Sequence, residues 1–214
     1  MNSLPEFVLI SDAARVGTAR FLDVLCAAIG AGLPAVLLRE PEWSRSEVRG
    51  LTEEVLRIAS RELCILAHRD ATLTRDLGLA GVHLGGGRPE TIGEARRVLG
   101  DSALVGYSAH SQDECQRAAE FGADYAFFSP VLPPLSKDHG LEPVGFDGLR
   151  QACSAGHLPL YALGGLRPEH AAAVRACGAA GIAGIGAIID ASDPAAATRE
   201  FLLGLKFPSG PPGG

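Results

Sequence analysis

The chain has 214 residues, 47% of them hydrophobic, and a formal net charge of −6. That length can bury a sizeable core and suits one α/β barrel or one to two ordinary domains. The acidic balance, with no basic run, argues against nucleic acid as the main partner.

Five cysteines, Cys26, Cys64, Cys115, Cys153 and Cys177, are odd in number and widely spaced, with no CxxC pair. They argue against a disulfide framework or a zinc site and for free thiols in a reducing cytoplasm. The first stretch, "MNSLPEFVLISD", has no charged segment followed by a long apolar one, so no signal peptide is expected. No apolar run approaches the ~20 residues of a membrane span, so no membrane partner is expected either.

The first candidate strand is "FVLISD" (7–12), and the second is "AVLLRE" (35–40). A helix is predicted over 44–60, where Val48, Leu51, Val55 and Ile58 recur three to four apart. Ser44 with Glu47 three residues later reads as a capping box. Strands follow at "CILAHR" (64–69), "GVHLG" (81–85), "LVGYSAH" (104–110) and "YAFFSP" (125–130). Helices are predicted over 111–123 and 167–179, each ending near a glycine. The last two strands are "LPLYALGG" (158–165) and "GIAGIGAII" (181–189). These strands are short and nearly continuously apolar, as strands buried on both faces should be.

Eight such strands, alternating with helices at about 25 residues per unit, predict a (β/α)8 TIM barrel. The barrel is expected over residues 1–206, and the Pro/Gly-rich tail 207–214 is expected to be disordered. A doubly wound open sheet would carry a GxGxxG loop after its first strand, and "FVLISDAARVG" has none.

In such barrels the C-terminal ends of the strands build the site. "LGGLRPEH" (163–170) and "GIAGIGAI" (181–188) end strands seven and eight, where these barrels bind phosphate. Gly164, Gly165, Gly184 and Gly186 would let the backbone approach the anion. The long segment "SPVLPPLSKDHG" (129–140) has the size of a functional lid, and Lys137 on it could reach a phosphate. His83 and His110 stand near strand ends, where a histidine is often bonded to backbone. His68 follows "CILA" and should point into the mouth if the register holds, as a base titrating near neutrality. No metal cluster and no GxSxG elbow occur, and no cysteine ends a predicted strand.

The chain resembles thiamine phosphate synthase and its TenI-type relatives, the thiazole tautomerases. The matching stretches run in order: "LLRE", "AGVHLG", "VGYSAHSQDE", "GADYAFFSPV" with its following "SK", "LYALGGLRPEH" and "GAAGIAGIGAIIDASDP". The resemblance implies a (β/α)8 barrel of thiamin biosynthesis with a small phosphorylated ligand. It implies a thiazole-phosphate cradle at Gly164, Gly165, Gly184, Ile185, Gly186 and Ala187, with Arg39, Arg88, Ser108 and Ser136 on substrate and with His68 and the loop Lys137 as the catalytic residues.

Where the synthases carry magnesium aspartates, this chain has Ala67–His68–Arg69 and Gly86–Gly87–Arg88. Leu37 and Pro41 replace a glutamine and a lysine of strand two, and Pro134 and Ser136 replace two threonines. The tautomerase histidine after strand six corresponds to Pro130. Arg88 and His68 add positive charge that suits an anionic group and not a cation. The resemblance therefore leaves three functions: a metal-independent tautomerase with His68 as base, a divergent synthase using Mg²⁺, or a non-catalytic thiamin-phosphate binder. No cofactor is expected outside the synthase case, and a homo-oligomer stays open.

Overall fold

The computed structural model describes residues 4–133 and 141–206. Ser136, Lys137 and the tail 207–214 lie outside the described residues. The chain runs β1 (Phe7–Ile10), α1 (Ala13–Val16), α2 (Thr18–Gly30), β2 (Ala35–Leu38), α3 (Arg45–Ile58) and β3 (Cys64–His68). It continues through α4 (Ala71–Leu77), β4 (Gly81–Leu84), α5 (Glu90–Leu99), β5 (Leu104–Ala109), α6 (Gln112–Glu120) and β6 (Tyr125–Phe128). Then come α7 (Gly145–Ala155), β7 (Leu160–Ala162), α8 (Ala171–Ala176), β8 (Gly181–Gly184), α9 (Gly186–Ile189) and α10 (Pro194–Lys206).

The strands close into a parallel barrel in sequence order, with β1 paired to β8. This is the (β/α)8 barrel expected from the alternating pattern. Alternation along each strand sends one set of side chains outward onto the helices and the other into the barrel. The inner set includes Val8, Ile10, Leu37, Leu66, Tyr125, Phe127 and Tyr161. The helices cover the outer set, as with Val36 of β2 and Val55 of α3.

Helix α3 starts as its sequence prescribes. The Ser44 hydroxyl accepts from the Glu47 N–H, and the Glu47 carboxylate accepts from the Ser44 N–H at 2.8 Å. Such a cap contributes about 1 kcal/mol. Two expected boundaries change. The stretch 181–189 is one strand only to Gly184, because Gly186–Ile189 coils into α9. The stretch 167–179 opens with a 3-10 turn at Pro168–His170 before α8. In the first place the glycines, and in the second Pro168, break the period of the stretch.

Candidate active site at the barrel mouth

The mouth is assembled from the C-terminal ends of the strands and the residues that follow them. Ser11 and Glu40 tie the ends of β1 and β2 together. Glu40 is buried (4% exposed) and accepts from the Ser11 hydroxyl at 2.6 Å and from the Ala13 and Ala14 N–H groups at 2.8 and 2.9 Å. The same Ser11 oxygen accepts from the Arg39 N–H at 2.8 Å. Glu40→Gln keeps the shape but sets an amide donor against an N–H donor. A loss of about 1–3 kcal/mol in urea unfolding is expected. An unchanged midpoint would show that this junction does not need the charge.

On β3, His68 pairs in register with His83 of β4, and Leu66, two residues earlier, belongs to the inner set. Period two therefore turns His68 inward at the mouth. Burial first, then the charges of Arg39 and Arg69, push its pKa down to about 4. His68 is therefore a neutral imidazole at physiological pH.

His83 lies one layer deeper, 2% exposed, and stacks on Phe127 at 4.0 Å between ring centres. Its Nδ1 lies 3.2 Å from the Tyr125 hydroxyl and its Nε2 lies 3.0 Å from the Ser108 hydroxyl. Burial drives its pKa well below the usual histidine value. Ser108 is thus anchored to His83 while its β5 position keeps it half-buried at the mouth.

His110 shares inward parity with Ser108 and makes the backbone bond expected of a histidine near a strand end. Its Nδ1 lies 2.7 Å from the Ser129 carbonyl. A carbonyl only accepts, so Nδ1 is the donor in this bond. The two-residue spacing of Ser108 and His110 is the signal that could have paired them.

His110, Arg39, Ser129 and the two glycine loops line one cavity of about 330 Å³. Gly164 and Gly165 have φ of +100° and +65°, and Gly184, Ile185, Gly186 and Ala187 face them across the cavity. Among the described residues, the Gly164 and Gly165 N–H groups donate to no backbone carbonyl. Gly186 and Ala187 open α9, where the first N–H groups lack partners within the helix. N–H groups so arranged suit an anion, and the Asp190 carboxylate, whose Oδ2 would lie 3.0 Å from a Cβ on Gly186, lines the same cavity.

Arg88, expected on the ligand, is a surface residue paired with Glu90 at 3.0 Å, its side chain 69% exposed. It lines a separate groove of about 440 Å³ beside α4 and α5, with Arg69, Thr72 and Thr91.

A profile of the thiamine monophosphate synthase family matches residues 7–188. The chain belongs to this family. The thiamine-phosphate synthase of Chlamydia abortus (strain DSM 27085 / S26/3) is 32% identical over 197 residues, 92% of either chain. That of Anaeromyxobacter dehalogenans (strain 2CP-C) is 34% identical over 195 residues, covering 91% of this chain and 85% of the relative. Among solved structures, thiamine phosphate pyrophosphorylase from Pyrococcus furiosus superposes with a TM-score of 0.76 at 24% identity. It covers 94% of this chain and 95% of its own.

Magnesium, which the thiamine monophosphate synthase family implies, requires oxygen ligands with negative charge. Among the described residues, no three His, Cys, Asp or Glu side chains converge where they could hold a metal ion. The stretches at the family's aspartate positions, Ala67–His68–Arg69 and Gly86–Gly87–Arg88, offer cations and a neutral imidazole. Among the described residues, those at these positions do not fit the ion. Among the described residues, no helix is long and apolar enough to cross a membrane.

Proposed function

We propose that this member of the thiamine monophosphate synthase family binds a phosphorylated thiazole and isomerises it without magnesium. The observation that carries this reading is a glycine cradle facing a cationic mouth that holds an unprotonated histidine. The phosphate sits on the backbone of Gly164, Gly165, Gly186 and Ala187. That leaves the ring toward His68, Ser108 and His110. A tautomerisation removes a proton from one carbon and returns it to another, and it needs no leaving group and no metal. His68 takes the proton as a free imidazole and gives it back. Positioned acid–base groups of this kind contribute about 10²–10⁴-fold in rate.

Isomerisation of a thiazole carboxylate phosphate, followed by NMR in EDTA, tests the reading. The wild type should accelerate it, and His68→Ala should lose about 10²-fold or more. No acceleration over buffer defeats the reading. Full activity in His68→Ala with loss in His110→Ala moves the base to β5.

A second reading, a divergent synthase, is favoured by the name that the relatives carry over nearly their whole length. Arg39 and Ser108, at positions matching synthase residues, support it. Formation of thiamine phosphate from the pyrimidine diphosphate and the thiazole phosphate with Mg²⁺ would establish it. Binding of thiamine phosphate by calorimetry with no turnover in either assay would leave a carrier or regulator.

A further inference from the structure

We propose that Tyr125 and His83 form a one-way hydrogen-bond relay that turns the Ser108 hydroxyl toward the mouth as a donor. The ligand meets Ser108 with an atom that only accepts, a carboxylate oxygen or an unprotonated ring nitrogen. Tyr125 and His83 are positioning residues in this scheme, because both are buried and act through Ser108. The inference deepens the functional reading and rests on it for the identity of the ligand. The direction of the relay stands on the geometry of the barrel interior.

The register builds the relay. His83 of β4 stands beside Gly106 of β5, and Gly106 stands beside Tyr125 of β6, in one layer of the interior. Gly106 carries no side chain, and Tyr125 fills the space it leaves. A Cβ built on Gly106 would collide with the Cζ, the hydroxyl and Cε2 of Tyr125. The phenol thus crosses β5 and reaches the histidine two strands away, its oxygen 3.2 Å from His83 Nδ1. Nε2, on the other side of that ring, lies 3.0 Å from the Ser108 hydroxyl, two residues nearer the mouth than Gly106. The Phe127 ring stacked on His83 holds the imidazole plane between these two partners.

Counting hydrogens fixes the direction. Burial drives the Tyr125 pKa well above the usual phenol value, so the phenol keeps its hydrogen. Burial also keeps His83 neutral, so its ring carries one hydrogen, on Nδ1 or on Nε2. Among the described residues, His83 Nδ1 is the sole hydrogen-bond partner of the Tyr125 hydroxyl. With the hydrogen on Nδ1, the ring would donate to the phenol oxygen, and the phenol hydrogen would be buried without an acceptor. That is the costly arrangement. With the hydrogen on Nε2, the phenol donates to Nδ1, Nε2 donates to the Ser108 oxygen, and each buried donor has its acceptor. The Ser108 hydrogen remains, and the half-buried end of β5 leaves it facing the mouth. Successive bonds of one polarity also strengthen one another.

Proton–nitrogen correlation spectra of protein carrying 15N-histidine, at neutral pH, test the relay. Tyr125→Phe and Ser108→Ala each delete one hydroxyl, and the ring whose two nitrogens respond, one to each variant, is His83. That ring should show a protonated Nε2 and a bare Nδ1 in the wild type. In Tyr125→Phe the Nδ1 resonance should move toward that of a free pyridine-type nitrogen. A protonated Nδ1, or no ring that responds to both variants, overturns the proposal. Melting curves confirm that each variant is folded. If Tyr125→Phe fails to fold, the wild-type ring and its response to Ser108→Ala carry the test.

Calorimetry in EDTA with thiazole phosphates, with and without a carboxylate, gives the second readout. Ser108→Ala should weaken binding about tenfold and Tyr125→Phe about threefold. The double variant should lose no more than Ser108→Ala alone, since Tyr125 acts through Ser108. Losses that multiply make Tyr125 a packing residue and overturn the relay, as does equal affinity of wild type and Ser108→Ala for both probes. A loss confined to the carboxylate form assigns the acceptor to that carboxylate, and a loss shared by both forms assigns it to the ring nitrogen. If neither thiazole phosphate binds, the functional reading fails, and the histidine spectrum still decides the relay.

Discussion

Gly165→Ala is expected to destabilise the barrel by about 2–5 kcal/mol and to weaken phosphate binding by at least tenfold. Two costs add. Gly165 sits at φ +65°, where an L side chain costs about 1–2 kcal/mol. Its Cβ would also lie 2.8 Å from Leu132 Cβ and 2.9 Å from the Leu132 carbonyl carbon, and would collide with the Pro133 oxygen. Those obstacles are mostly backbone, so relief must come from moving the β6 or β7 loop, at roughly 1–3 kcal/mol. A total stability of about 5–15 kcal/mol makes this a large fraction. Because the same glycine lines the cradle, the shift that relieves the clash misdirects the N–H groups. Gly93→Ala is the counterpart. It lies in α5 with nothing near its Cβ and no positive φ, and should stabilise by about 0.5–1 kcal/mol. Urea midpoints and calorimetry with inorganic phosphate measure both. A Gly165→Ala protein within 0.5 kcal/mol of wild type would contradict the packing argument.

The second large effect is acid sensitivity. His68 holds its pKa at about 4 in the fold, against about 6.5 in an unfolded chain. A depressed histidine is refused its proton by the folded state. The unfolded state therefore takes up more protons across the interval, and stability falls as pH drops from about 6.5 to about 4. The gap of about 2.5 units corresponds to roughly 2–3 kcal/mol, allowing for partial solvent access. His83 adds in the same direction, since burial also holds it neutral. Urea unfolding at pH 7, 5.5 and 4.5 should show a steep decline. His68→Gln should flatten it by up to about 1.4 kcal/mol per pH unit. A level profile down to pH 4.5 would mean that these rings are hydrated in the fold.

Much of this architecture is legible in the sequence because its signals are local or periodic. The run "CILAH" needs only alternation to place His68 on the same face as Leu66. The barrel register supplies the one missing fact, that this face is the interior. The glycine pairs after β7 and β8 are legible because an anion cradle requires close backbone approach. The seat of Tyr125 over Gly106 is not local. It depends on the barrel register and on a neighbouring strand that presents no side chain, and no spacing rule encodes either. Arg88 illustrates the converse. It occupies the family's aspartate position by spacing, yet the turn that holds Gly87 at φ +86° leaves it on Glu90 at the surface.

The closure of β1 against β8 has a kinetic meaning. Val8 finds Ala35 after a short stretch of chain, but its other neighbour is Ala183. During synthesis from the N-terminus, the first stave must wait for the last before its second edge is paired. Without that pairing a sheet of these strands has two open edges, the kind of edge that other chains can pair with. The anion cradle shares this timing, because half of it hangs on β8. Ligand can reward only a finished ring, so its mass-action stabilisation acts on the closing step itself.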